Sequence, residues 1–174
     1  MMKSFELRSI TEADLPIPGA DPWYARREDP ALTVMTDFRE LASITVAESA
    51  PIDAALEHMK HAGVRCAFAT NESERVVGLI TSYDIVGEKP LRHARTVTAQ
   101  RKDILVRDIM VRIADWKVAY ITDLERSTVE DVRRRFDESA LTHLPVVEPQ
   151  QSGQLRLRGL LSAAKVRRLL SKAK

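Results

Sequence analysis

The residues best placed to do chemistry in this chain are Thr81 and Asp84, a hydroxyl and a carboxylate three positions apart, directly after Gly78-Leu79-Ile80. A carboxylate only accepts hydrogen bonds, and bonds to a charged acceptor are shorter and stronger than neutral ones. At a helix start the same pair forms a capping box, with Thr81 at the N-cap and Asp84 in the first turn, where an acid also complements the helix dipole. The run recurs as Gly159-Leu160-Leu161-Ser162, but Lys165 stands where the second acid would be. Lysine donates and cannot accept, so the two places are chemically unequal. Lys165 either points into solvent or meets an anion.

Other constellations lead nowhere. Of the 4 histidines, His58 and His61 fall three apart on a helix, but no third ligand stands at a compatible spacing. Both read as solvent-facing, and no metal site is expected. The 1 cysteine, Cys66, excludes an intrachain disulfide and reads as a small core residue on an apolar strand. Arg133-Arg134-Arg135 reads as the exposed face of a helix. With no nucleophile–base pair and no Gly-rich phosphate loop in the sequence, no enzymatic activity is expected.

The elements that must position these groups occur twice. From Ile52 and again from Val129 the chain reads helix, apolar strand, turn, second strand ending in Gly-Leu, small hydroxyl residue, helix. Val129 lies 77 residues after Ile52, whereas Gly159 lies 81 after Gly78, and a longer hairpin at Glu148 to Arg158 takes up the difference. Ile52, Ala55, Leu56 and Met59 fall at helical spacing, as do Val129, Val132 and Phe136, and mark two buried stripes. An internal repeat settles architecture ahead of local motifs. The expectation is an α/β fold of two βαββα-like units packed as a pseudo-twofold pair.

The organisation read from this is a Pro-rich extension over 1–30, a first repeat over 31–89, a basic, weakly patterned linker over 90–103, and a second repeat over 104–174. Trp23 and Tyr24 are expected to pin the extension to the body. A net charge of +2 on 174 residues excludes a molecule that binds polyanions by bulk charge. The basic last helix, with Lys165, Arg167, Arg168, Lys172 and Lys174, therefore gives a weak case for nucleic acid. No apolar run is long enough to span a bilayer, and the N-terminus is too polar for a signal peptide, so a cytoplasmic protein is expected.

The ordered series VRDIMV, STVEDVRRRF, ALTHLPVVE and GLLSAAKV resembles a cystathionine-β-synthase (CBS) domain. VMTDF, APIDAALEHM, GVRCAFAT and GLITSYDIV resemble another, so roughly residues 31 to 172 are similar to a tandem CBS pair, or Bateman module. The resemblance implies two clefts at the interface of the repeats that bind adenosine-containing ligands, namely AMP, ADP, ATP or S-adenosylmethionine. It also implies dimerisation into a flat disk. The family's ribose-binding pattern, Gly, two apolar residues, Thr or Ser, two variable residues, Asp, is matched in full from Gly78 to Asp84. On this reading Thr81 and Asp84 hold the ribose; the capping box remains the other reading, and the two are compatible.

By the same resemblance the Asp of one repeat works with strands of the other. Counting from the helix starts pairs Phe68 with Pro145, Cys66 with His143 and Arg65 with Thr142. The adenine pocket is then expected from Leu79, Ile80, Tyr120, Ile121, Thr122, Leu141 and Thr142, with His143 on the phosphate side or as a structural histidine of the interface. A second, weaker cleft is expected from Ile44, Thr45, Val64, Arg65, Ser162 and Lys165, where Arg65 is either a ligand group or a solvated strand-edge charge. The function expected is a stand-alone regulatory module, a homodimer acting on a separate effector protein, with no cofactor beyond a bound adenine nucleotide or S-adenosylmethionine. A ligand-free interaction module is the alternative.

Overall fold

The computed structural model describes residues 24–171; Trp23 and most of the extension lie outside them. The chain runs β1 (Thr36–Asp37), β2 (Thr45–Ala47), α1 (Ile52–His61), β3 (Cys66–Thr70), β4 (Val76–Thr81), α2 (Ser82–Val86) and α3 (Lys89–Val97). It continues through α4 (Val106–Ile109), β5 (Val111–Arg112), β6 (Ala119–Tyr120), α5 (Ile121–Leu124), α6 (Val129–Asp137), β7 (His143–Pro149), β8 (Leu155–Ser162) and α7 (Ala163–Leu170). The expected βαββα unit is present twice, as β2-α1-β3-β4-α2 and as β6-α6-β7-β8-α7 with the short α5 inserted.

Helix faces follow the apolar stripes. Ile52, Ala55 and Met59 of α1 are buried, as are Val129, Val132 and Phe136 of α6. Thr128 and Asp131 close a capping box at the start of α6, with the Thr128 N–H donating to Asp131 Oδ2 at 2.9 Å. Gly63, at φ +68°, takes the left-handed turn that ends α1, a conformation nearly free for glycine.

The sheets are not the repeats as written along the chain. One sheet has the order β2-β3-β4-β5 and the other β1-β8-β7-β6. Each therefore takes an edge strand from the other repeat: Thr36 pairs with Leu160 and Asp37 with Gly159, while Val111 pairs with Leu79 and Arg112 with Gly78. The leaders of these strands cross too. Ala25, Ala31, Val34 and Met35 sit in the core under α6 and α7, and Ile104, Val106 and Ile109 sit in the core under α1 and α2. Matching bonds anchor both leaders, Val129 N–H to Asp29 O at 2.9 Å and Ile52 N–H to Ile104 O at 3.1 Å. Arg158 clamps β1 further through Asp37, and its Nε lies 3.4 Å from Glu148.

Between the sheets lies a third apolar cluster, in which Phe68, Leu79 and Leu160 meet Phe38 and Trp116. Phe38 meets Phe68 edge-on at 5.4 Å between ring centroids, a favoured aromatic geometry. Cys66 is half-buried here, and burial pushes its thiol pKa up.

One sequence expectation needs correction. Residues 90–103 are largely helical, not weakly ordered: Pro90 sits in the first turn of α3, where its missing N–H costs nothing, and Arg101 ties the connection to Asp53 at 2.7 Å and to Ile85 O at 3.2 Å. Leu169 is fully buried in the second core, and Leu56 and Leu170 pack on their own cores. Tyr83 and Val86 of α2 and Leu91 and Val97 of α3 are exposed.

Candidate functional site

Strand β4 delivers Thr81, only 7% exposed, to the boundary between the repeats. There it caps α2. The Thr81 N–H and hydroxyl donate to Asp84 Oδ2 at 2.8 and 2.7 Å, and the Asp84 N–H donates to Thr81 Oγ1 at 3.1 Å. The other carboxylate oxygen of Asp84 meets Lys89 Nζ at 2.7 Å, and the same ammonium donates to Ile109 O at 3.2 Å. The capping reading of this pair is therefore realised. A carboxylate has about four acceptor positions, and these contacts use three of them.

A cleft of about 160 Å³ opens beside Thr81. Its walls are Leu79 and Thr81 of β4, Val111 and the turn Asp115-Trp116-Lys117 that follows the exchanged strand, and Ala140 to His143 with Pro145 at the start of β7. The Trp116 indole N–H donates to Val111 O at 3.1 Å, which fixes the ring as a flat apolar wall. His143 is half-buried, with Nδ1 3.1 Å from Thr142 Oγ1. Burial holds its pKa below the ordinary value, and the Asp84 carboxylate partly opposes this. The imidazole is thus biased toward its neutral form while sensing a charge on the other repeat.

Of the residues singled out in the sequence, Leu79, Thr81, Leu141, Thr142 and His143 meet in this cleft, with Asp84 directly behind Thr81. Ile80 does not line it. Neighbours on a strand face opposite ways, and Ile80 is fully buried in the helix-covered core of the first repeat. Tyr120, Ile121 and Thr122 are also displaced: Ile121 packs against the second core and Thr122 is exposed on α5.

The displacement has a countable cause. Val46 pairs with Ala69 and Ala69 with Gly78; Ala119 pairs with Val146 and Val146 with Gly159. Val46 and Ala119 are therefore equivalent and lie 73 residues apart, although the helix starts Ile52 and Val129 lie 77 apart. Four extra residues, containing α5, separate β6 from α6. Corrected for them, Lys117 is the counterpart of Ile44, and Trp116 and Lys117 become legible as wall residues.

None of the residues expected for the second cleft lines the cleft beside Thr81. Ser162 starts α7 without a side-chain capping bond. Lys165 is half-buried, with Nζ 3.4 Å from Thr36 Oγ1 on the exchanged strand, so it does not simply point into solvent. Exposed Arg65 donates to the Tyr83 hydroxyl at 3.3 Å. Ile44 and Val64 pack against the first core, and Thr45 is exposed. The glycines of the two Gly-Leu pairs have a structural partner. A Cβ on Gly78 would meet Met110 and Val111 O, and one on Gly159 would meet Met35 and Thr36 O. The close approach they permit is that of the exchanged strands.

The CBS domain family model matches residues 21–90. Among curated proteins none matches this chain. Solved structures that match include the CBS-pair protein CBSX2 from Arabidopsis thaliana, at 23% identity and a TM-score of 0.51, over 82% of this chain and 94% of that one. A structure of CBSX2 in complex with AMP matches at 22% identity and a TM-score of 0.53, over 81% and 94%. An uncharacterized conserved protein from Pyrococcus horikoshii matches at 20% identity and a TM-score of 0.56, over 86% and 97%. Likeness at these identities establishes the fold. No helix among the described residues is long and apolar enough to cross a membrane.

Proposed function

We propose that this tandem CBS-domain protein is a regulatory module that senses an adenosine-containing ligand, AMP, ADP, ATP or S-adenosylmethionine, in the cleft between its repeats. The observation that carries the reading is the meeting of Thr81 and Asp84 from one repeat with Thr142 and His143 from the other, beside the Trp116 ring. In this reading Thr81 and Asp84 take the ribose hydroxyls, with the ligand competing for the acceptor position of Asp84 that Lys89 shares. Leu79, Leu141 and Trp116 enclose the base. His143 faces the phosphates or, for S-adenosylmethionine, the carboxylate. That a CBS pair of the same fold was crystallised with AMP supports the ligand class.

A ligand touching both repeats shifts their arrangement only by as much as it binds one arrangement better than another. The response would pass to a separate effector protein. The exposed Tyr83, Val86 and Leu91 suit a homodimer contact, and light scattering on the purified chain tests that part: a monomer at all micromolar concentrations removes it. A thermal-shift screen of the four ligands tests the sensor. At about 100-fold excess over the dissociation constant, linkage stabilises by about 2.7 kcal/mol. For a chain of this size that is a rise of about 5–10 °C.

One observation favours a second reading. The Asp84 carboxylate is already held by Thr81 and Lys89. If none of the four ligands shifts the melting temperature, the pair is a helix cap alone and the protein is an interaction module.

A further inference from the structure

A second cavity, of about 480 Å³, opens on the helix-covered face of the sheet β1-β8-β7-β6. Its floor is Leu124, Val132, Leu144 and Leu161, all in the core of the second repeat. Leu144 and Leu161 are paired in the β7–β8 register, while Leu160, next along β8, points the other way into the cluster between the sheets. The chamber and the inter-repeat cleft therefore lie on opposite faces of one sheet, sharing only Lys117 and Leu141 at its edge. Its volume is that of an ordinary small-molecule pocket.

The chamber owes a wall to the four-residue insertion. Asp123, Leu124 and Ser127 come from the connection between β6 and α6, which is eight residues long against four between β2 and α1. The rim carries Lys117 and Arg135, neither of which makes an ion pair or side-chain hydrogen bond among the described residues. Of the two rim acids, Asp131 is engaged by Thr128 and Arg134. The Asp123 carboxylate has no such partner among the described residues and disfavours a multiply charged guest. An apolar floor, two available cations and one opposing carboxylate define a narrow class of occupant.

We propose that this chamber is a ligand site in its own right, taking a monoanion with an apolar body, such as an aromatic or branched carboxylic acid, whose carboxylate is read by Lys117 and Arg135. The proposal does not depend on adenosine binding in the cleft.

The test is a titration of the isotope-labelled full chain with 4-phenylbutyrate and with its uncharged match, 4-phenylbutyramide, followed by amide NMR shifts. The acid should shift the amides of Leu124, Ser127 and Ser139, and the uncharged compound should bind about tenfold more weakly or worse, the loss of one charged hydrogen bond. Arg135→Gln should weaken the acid by about the same factor and leave the uncharged compound unchanged. Val132→Phe should fill the chamber and abolish both. Should that variant fold poorly, the exposed Arg135→Gln decides. Shifts absent from these amides at millimolar acid, equal affinity for the two compounds, or binding indifferent to Arg135→Gln would each overturn the assignment.

Discussion

Alanine at the two Gly-Leu glycines should destabilise the protein unequally, because what each would strike differs in softness. At Gly159 an added Cβ lies 2.6 Å from the Thr36 carbonyl oxygen and 2.7 Å from the Met35 sulfur. The oxygen belongs to the backbone of an exchanged strand pinned by the Thr36–Leu160 pairing, so it cannot step aside alone. At Gly78 the first obstacle is the flexible thioether of Met110, and the Val111 carbonyl oxygen stands further off, at 2.9 Å. Overpacking of this kind costs about 1–3 kcal/mol, and alanine recovers about 0.4–1 kcal/mol by restricting the unfolded chain. Gly159→Ala, at the upper end of that cost, should therefore lose about 2–2.5 kcal/mol and Gly78→Ala about 1 kcal/mol. Urea unfolding with an unchanged slope would read both. Adding Met110→Ala to Gly78→Ala should recover part of the packing penalty, whereas Met35→Ala added to Gly159→Ala should recover little, since the carbonyl contact persists. An inverted order, or two silent substitutions, would refute the claim that these glycines seat the exchanged strands.

Asp84→Ala should raise the AMP dissociation constant by about 10- to 100-fold, as for a lost charged hydrogen bond, while Lys165→Ala leaves it nearly unchanged; calorimetry with the opposite order would sink the ribose assignment. The same Asp84→Ala should also lower stability by about 1–2 kcal/mol, since it opens a formed capping box and strands the nearly buried Thr81 donors; a wild-type melting curve would contradict this. For His143, burial lowers the folded pKa below its ordinary 6.5, so the unfolded chain binds the proton more tightly. Its contribution is complete above about pH 6.5 and is lost as pH falls through the depressed folded value. The stability difference between wild type and His143→Gln should grow more unfavourable to wild type over that window, and parallel pH curves would exclude the effect. Deleting residues 1–38 removes Ala31, Val34, Met35 and β1 from the second core; the remainder should show broad, non-cooperative melting, and a sharp transition would show that the leader is dispensable.

The repeat, its helices and the β3–β4 and β7–β8 hairpins were legible because they leave local signatures. Helical stripes such as Ile52-Ala55-Met59 and the paired Gly-Leu runs survive in any one stretch of sequence. The exchange of β1 and β5 was not legible. Each is two residues long, too short for an alternation, and its pairing partner lies in the other half of the chain. Half the cleft was misread for a related reason. Counting from helix starts carried Tyr120, Ile121 and Thr122 into the wall because the α5 insertion lies upstream of the anchor, and only strand register exposes it. Ile80 was the avoidable error, since Leu79 already claimed the inner face. Lys165 could be seen to break the acidic pattern, but not that a threonine from the far repeat would meet it.

The crossed leaders also constrain where such a chain can come from. A single repeat, made alone, would lack an edge strand and part of its core, and a second copy could supply both by reciprocal exchange. An ancestor of one repeat would thus fold as an intertwined pair. Duplication would then join a complex that already existed, with the α3 connection supplying the covalent tether. On that history the two halves never had an independent native state to lose, and they were free to diverge into one acidic and one basic helix start while each remained bound to the other's opening strand.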